Sequence, residues 1–111
     1  MCIGDSAMLR IIAYEVLVAN EWSDLAEADI VGPKRTPRIV AARSEVAYLL
    51  KKLSVPIGEI SELLGKRHAT VIHDIRAIDE QVSASSETAA KLKAVLKRVQ
   101  LKLENRKDDE V

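Results

Sequence analysis

Residues 60–78 read ISELLGKRHATVIHDIRAI, and one glycine divides this stretch into two helical patterns. Before Gly65, apolar residues recur at helical spacing; Pro56 suits the first turn, and Ser54 is the expected N-cap. After Gly65, four apolar positions follow at spacings of four, three and four: Val71, Ile75, Ile78 and Val82. Glycine readily adopts the left-handed conformation that ends a helix. The pattern therefore predicts a helix-turn-helix whose second helix begins near residues 66–68.

Two further helices are predicted on the N-terminal side. Ser6 is placed to cap a helix that runs to about Asn20, and an apolar stripe marks a long amphipathic helix from about residue 37 to residue 53. Between them, residues 22–25 are expected to form a turn or short helix, with Trp22 packed into the core. Two Pro-containing breaks then enclose a basic loop at residues 33–38.

A final helix is predicted from about residue 86 to residue 106, followed by a frayed, charged tail. Its apolar residues repeat at intervals of three and four: Ala89, Leu92, Leu96, Val99 and Leu103. This seam has two open interpretations, packing back on the bundle or a homodimer through residues 86–106, of which the homodimer is preferred. The predicted fold is an all-α helical bundle, with a helix-turn-helix domain at residues 1–83 and the C-terminal helix at residues 84–111.

The composition fits one small helical domain. The chain has 111 residues, of which 48% are hydrophobic but only 3% aromatic, and this composition favours helices packed through aliphatic stripes. The lone Cys2 excludes an intramolecular disulfide and a cysteine-based zinc site, and we expect it to be inert. The apolar N-terminal helix is interrupted by Arg10 and Glu15 and lacks the features of a signal peptide. We therefore expect a cytoplasmic, nucleoid-associated protein with no membrane partner.

The formal net charge is zero, but the charges are unevenly distributed. Residues 1–33 carry one cation against six acids, whereas residues 34–76 carry nine cations against four acids. Phosphate binding depends on a local excess of Lys and Arg, so the second block is suited to a nucleic acid. The alternative is that these charges only form a solvated face.

The start of the second helix of the motif carries groups suited to duplex DNA. In a helix-turn-helix, the N-terminal residues of this helix reach base edges in the major groove, while nearby cations hold phosphates. The candidate residues in this segment are Lys66, Arg67, His68, Ala69, Thr70, His73 and Arg76. His68 and Thr70 can exchange hydrogen bonds with bases, and the methyl groups of Ala69 and Thr70 can contact thymine. The sequence thus predicts a double-stranded DNA partner.

This segment resembles the DNA-binding C-terminal domain, domain IV, of the bacterial replication initiator DnaA. The matching residues are His68, Thr70, Val71, His73, Arg76 and Ile78. The resemblance extends over about residues 8–82 and implies a Trp-repressor-like helical bundle. Upstream, Lys34 and Arg35 resemble the family's basic loop, and residues 38–50 its long helix. By position, the resemblance implies that Arg38 and Arg43 reach the minor groove, and Arg43 is the better match.

Three departures from the family pattern bear on the DNA target. The family's paired glycines and Arg-Asp are shortened to Gly65-Lys66-Arg67, so its base-reading Asp has no counterpart. Ala69 replaces the first Thr, and Asp74 would repel phosphate unless it accepts from a cytosine amino group or pairs with Arg67 or Arg76. We therefore expect a target sequence that differs from the family's usual one.

The sequence contains no Gly-rich nucleotide-binding loop, so we expect no ATPase activity and no nucleotide ligand. The chain is then either a piece of a longer protein or a stand-alone regulator or accessory protein of replication or transcription, with a phage origin among the open alternatives. No pairing of nucleophile and base indicates an enzyme. His68 and His73 lie about 140° apart on a helix, which argues against a shared metal, and no cofactor is expected. The main alternative function is a protein-interaction module that keeps the helix-turn-helix as a scaffold.

Overall fold

The computed structural model describes residues 6–109, with side chains as far as Asn105, so Cys2 and the end of the tail lie outside the described residues. The described chain forms six helices and contains no strand. These are α1 (Ser6–Ala19), α2 (Glu27–Val31), α3 (Pro37–Lys52), α4 (Ile57–Leu64), α5 (His68–Ala84) and α6 (Ser86–Asp109). The predicted all-α bundle with a helix-turn-helix is confirmed. No helix within the described range is both long and apolar enough to span a bilayer.

Helix α3 is the centre of the bundle and packs against each of the other five helices. Every residue from Ala42 to Leu50 is buried, because neighbours cover this helix on all sides. The core around it is aliphatic and includes the fully buried Ile12, Val16, Val46, Leu49, Ile60 and Val71. Trp22 packs against this core as predicted. A helix fixed on every side gives the loop before it and the motif after it a rigid support.

Helices α4 and α5 form the predicted helix-turn-helix. Gly65 has φ 64° and ψ 37°, the left-handed conformation that ends α4. The amide of Lys66 then donates to the Ser61 carbonyl at 3.0 Å, and the Ser61 hydroxyl donates back to the Lys66 carbonyl. One correction concerns the start of α4. Its N-cap is Pro56, whereas Ser54 has φ 69° and belongs to the turn that closes α3.

Helix α6 is separated from α5 by Ser85 alone, whose hydroxyl accepts from the amide of Thr88 at 3.2 Å. It lies across α1 and α5 and buries Leu92, Val95 and Val99 in the common core. The apolar seam of this helix is thus packed within its own chain in the structure. Self-association through residues 86–106 stays a prediction.

Two ion-pair clusters add to the attachment of α6. Glu15 on α1 accepts from Arg98 at 3.0 Å and is also paired with Lys102, and it is only 4% exposed. Glu45 on α3, also buried, pairs with Lys91 at 3.0 Å. These buried acids occupy three of the lysine and arginine side chains of α6, which are therefore engaged within the chain.

Candidate nucleic-acid interface

The first turn of α5 is presented to solvent. Arg67, His68, Ala69 and Thr70 are all exposed, whereas Val71 is buried and anchors the turn to the core. Arg67 is the N-cap residue, but its side chain makes no capping hydrogen bond. The predicted base-reading residues are therefore grouped at one end of the helix, with their side chains accessible.

One turn further along α5, His73 and Arg76 are also exposed. Ile72 lies on the same face, four residues from both His68 and Arg76, and is 39% exposed. Ile72 was not identified from the sequence, because this residue belongs neither to the buried apolar stripe of α5 nor to the polar candidates for DNA contact. Its spacing from His68 was the available signal.

The loop before α3 ends at Thr36, so Arg38, predicted to lie in the basic loop, belongs to the first turn of α3. The cations of this region are largely paired with acids. Lys34 Nζ lies 3.0 Å from Asp29, and Arg38 donates to both carboxylate oxygens of Asp24. These two cations were predicted to contact DNA, but here each has an internal carboxylate partner. Arg35 is exposed and has no ion-pair partner among the described side chains.

Arg43 does not extend toward solvent. It is 4% exposed, and its guanidinium group donates to three main-chain carbonyls, those of Ile30 at 2.7 Å and of Gly32 and Lys34 at 3.0 Å. Burial and the nearby Arg35 lower its pKa, against the attraction of Asp74. In this placement the donors of Arg43 are used by the loop, and a minor-groove contact by Arg43 stays a prediction.

A cleft of about 610 Å³ joins the loop to the motif. Its lining includes Arg35 of the loop and Arg67 and Thr70 of the motif. Lys66 also lines it, and its ammonium group donates to the Gly32 carbonyl at 3.2 Å. Burial and repulsion by Arg43 and Arg35 lower the pKa of Lys66. The structure thus brings predicted residues from two separate segments to one concave, cationic surface.

A family model described as "Bacterial dnaA protein helix-turn-helix" matches residues 17–78, which is more than half of the chain. This chain belongs to the bacterial DnaA helix-turn-helix family. The resemblance inferred from residues 60–78 is thereby confirmed. The family match includes the basic loop, α3, α4 and most of α5, and therefore every residue of the candidate interface.

Several chromosomal replication initiator proteins named DnaA are similar to this chain. That of Brucella abortus biovar 1 is 33% identical over 99 residues, covering 86% of this chain and 19% of the relative. That of Xanthobacter autotrophicus is 36% identical over 99 residues, with 87% and 19% covered. That of Kosmotoga olearia is 44% identical over 55 residues, with 49% and 12% covered. The chain spans about a fifth or less of the length of these curated relatives.

Within this DnaA-type motif, Asp74 lines the cleft and is partly buried. Burial raises its pKa, although His73, Arg43, a hydrogen bond from Ser44 and Lys66 all act in the opposite direction. No ion pair joins Asp74 to Arg67 or Arg76 in the described part of the chain. Asp74 thus lies beside Arg43 and Ser44 of α3, and burial disfavours its charged form there.

No group of three or more His, Cys, Asp or Glu residues is arranged to hold a metal ion within the described residues. The chemistry that the site offers is hydrogen bonding and charge, from exposed side chains on a rigid helix and an adjoining loop.

Proposed function

We propose that this chain binds double-stranded DNA sequence-specifically through α5 and the basic loop. The observation that carries the proposal is the cleft, which places Arg35 on the same surface as Arg67 and Thr70. A duplex presents its phosphates on both sides of the groove that a recognition helix enters, so cations beside the helix are needed as well as base-reading groups on it. Family membership in the DnaA helix-turn-helix proteins supports the same conclusion.

The proposed roles follow the placement of the side chains. His68, Ala69, Thr70 and His73 read base edges, and Ile72 adds an apolar surface suited to a thymine methyl group. Arg35, Arg67 and Arg76 hold phosphates, because they are exposed. Lys66 contributes charge at the cleft. Lys34 and Arg38 also bind phosphates once their ion pairs with Asp29 and Asp24 are broken. The protein acts without ATPase activity in the control of replication or transcription, in the cytoplasm at the nucleoid.

Selection of bound sequences from a random duplex pool tests this function directly. A recovered consensus sequence is the expected result. The logarithm of the binding constant should fall by roughly 0.9 for each log unit of added salt and each phosphate contact. The double variant His68→Ala, Thr70→Ala should lose the preference for the consensus sequence and keep salt-sensitive background binding. Ser83→Ala, on the exposed far end of α5, is the control and should bind like the wild type. Equal loss of specific and background binding in the double variant would contradict the division of roles.

A second candidate is the protein-interaction module that the sequence left open. The ion pairs of Lys34 with Asp29 and of Arg38 with Asp24 favour it, because they withdraw one cation of the loop and one of the first turn of α3 from phosphate binding. A wild-type protein that binds neither random nor selected duplexes at low salt would favour this candidate over DNA binding.

A further inference from the structure

Arg43 on α3 holds the loop that precedes this helix. Three N–H···O bonds run from its guanidinium group to the carbonyls of Ile30, Gly32 and Lys34. These are alternate residues of one short segment, so a single planar side chain fixes the direction of that segment over five residues. Arg43 itself lies on α3, the helix that every other helix packs against. The clamp is therefore built on the most rigid part of the bundle.

A second donor reaches the same segment from the motif. Lys66 Nζ lies 3.2 Å from the Gly32 carbonyl, which also accepts from Arg43 at 3.0 Å. The backbone at this point is tightly placed, because a Cβ added to Gly32 would lie 3.0 Å from the Ala28 carbonyl. The Gly32 carbonyl thus connects α3 with the turn that precedes α5.

Arg35 follows the clamped segment directly. It is exposed and lines the same cleft as Arg67 and Thr70 at the start of α5. We propose that Arg43 is a positioning residue, which holds residues 30–34 so that Arg35 stands beside the N-terminus of α5 and meets the duplex there. This inference rests on the proposed function. It assigns Arg43 an effect on DNA that passes through Arg35 instead of a contact of its own.

The burial of Arg43 supports this division. Although the residue lines the cleft, it is 4% exposed and its donors are directed at the loop carbonyls. A direct contact with DNA would take the guanidinium group away from the three carbonyls to which it donates. Arg35 has no such engagement among the described side chains, so it is the residue of this pair that is available to a phosphate.

A double-mutant cycle separates the two roles. The binding constant for the selected duplex is measured for the wild type, Arg35→Gln, Arg43→Gln and the double variant. If Arg43 acts through Arg35, the change Arg35→Gln should weaken binding roughly fivefold in the wild type but less than about twofold in Arg43→Gln. Arg76→Gln is the matched comparison on the exposed face of α5, and its cost should be the same with and without Arg43. An undiminished cost of Arg35→Gln in the Arg43→Gln background would overturn the inference.

A measurement without DNA tests the clamp itself. Trypsin cleavage after Arg35, followed by mass spectrometry, should be several-fold faster in Arg43→Gln than in the wild type. The control is Arg10→Gln, which loses the same side-chain type from an exposed ion pair with Glu27. Unchanged cleavage in Arg43→Gln would overturn the inference.

Thermal melting shows whether Arg43→Gln folds. If it does not, Arg43→Lys replaces it in both experiments, since a lysine keeps the charge but lacks the planar fork that spans three carbonyls. The same loss of coupling and faster cleavage are expected, and their absence overturns the inference. If the wild type binds no duplex, both the proposed function and the inference are overturned. If the wild type binds normally but Arg35→Gln and Arg43→Gln weaken binding independently, only the inference is overturned.

Discussion

Arg38 and Asp24 form a two-point ion pair, in which Nη1 donates to Oδ1 at 2.7 Å and Nη2 to Oδ2 at 2.5 Å. The hydrogen bond from Arg38 is the main reason that the pKa of Asp24 is lowered, and burial acts against it. The carboxylate occupies the same fork of donors that a phosphate would use. Both side chains are about half exposed, so the pair is accessible to a competing anion. Under the proposed function, Asp24 therefore competes with DNA for Arg38.

The first prediction is that Asp24→Asn binds duplex DNA more tightly. Without the carboxylate, Arg38 is released for a phosphate, and we expect a gain of about two- to fivefold at low salt with a steeper salt dependence. Fluorescence anisotropy with a labelled duplex measures both quantities. Glu104→Gln, at an exposed position on α6, makes the same change in net charge and serves as the control. An equal gain in both variants would show that only the total charge matters.

The second prediction concerns Asp74 and pH. Burial raises the pKa of Asp74 in the folded protein above its pKa in the unfolded chain. The stabilisation from protonated Asp74 is therefore fully present at pH values below the unfolded-state pKa. It is lost as the pH rises through the folded pKa. The groups that face Asp74 are His73 on α5, Arg43 and Ser44 on α3, and Lys66 in the turn. Asp74→Asn stays neutral throughout, so its stability relative to the wild type should increase as the pH rises.

Urea denaturation of the wild type and Asp74→Asn between roughly pH 4 and pH 7 measures this difference. Asp79→Asn is the control, because Asp79 is an exposed carboxylate on the same helix. A difference between Asp74→Asn and the wild type that is constant with pH would contradict the prediction.

The sequence predicted the parts of the molecule that depend on local pattern. Helices α3, α4 and α5 have clear apolar periodicity, and Gly65 marks the turn because few other residues adopt its conformation easily. Helix α2 was missed, since five residues are too few to show a helical period.

The tertiary role of the cations could not be predicted in the same way. Arg38 meets an acid fourteen residues away, and Arg43 meets main-chain carbonyls that no sequence pattern reveals. The sequence does not distinguish an arginine that binds a phosphate from one that binds a main-chain carbonyl. The sequence showed that cations are concentrated in this segment, but the partners of the individual side chains required the structure.

The third prediction concerns the attachment of α6. Burial alone would raise the pKa of Glu15, but hydrogen bonds and charge from Lys102 and Arg98 outweigh it, so the pKa is lowered. Because the pKa of Glu15 is lower in the folded state, its stabilisation is present at pH values above the unfolded-state pKa. It is lost as the pH falls through the folded-state pKa. Glu15→Gln should cost about 1–3 kcal/mol at neutral pH, because it leaves the buried site without its charge. The loss relative to the wild type should shrink in acid.

Single changes on α6 should have smaller effects. Arg98 and Lys102 are each about half exposed, so Arg98→Gln should cost no more than about 1 kcal/mol while Lys102 remains. Urea denaturation at two pH values distinguishes the variants. A loss for Glu15→Gln that is as large in acid as at neutral pH would contradict a charge-based attachment.

The fourth prediction compares two glycines of the helix-turn-helix. Gly65 has φ 64°, and the nearest atom to an added Cβ, the Val31 carbonyl oxygen, is 3.9 Å away. Space is therefore available, and Gly65→Ala should cost about 1 kcal/mol through backbone conformation alone. Gly58 lies within α4, where an added Cβ would be 3.8 Å from His68 Nε2, an ordinary contact. Gly58→Ala should stabilise the protein by about 0.5–1 kcal/mol, because alanine loses less entropy in a helix.

The opposite signs of these two changes make the comparison informative. Asparagine tolerates the left-handed conformation better than alanine, so Gly65→Asn should recover part of the loss. Urea denaturation measures all three variants. If Gly65→Ala and Gly65→Asn were equally destabilised, the cost would come from the added side chain and not from the backbone. The turn would then owe its geometry to packing around residue 65, contrary to the open space that the structure shows there.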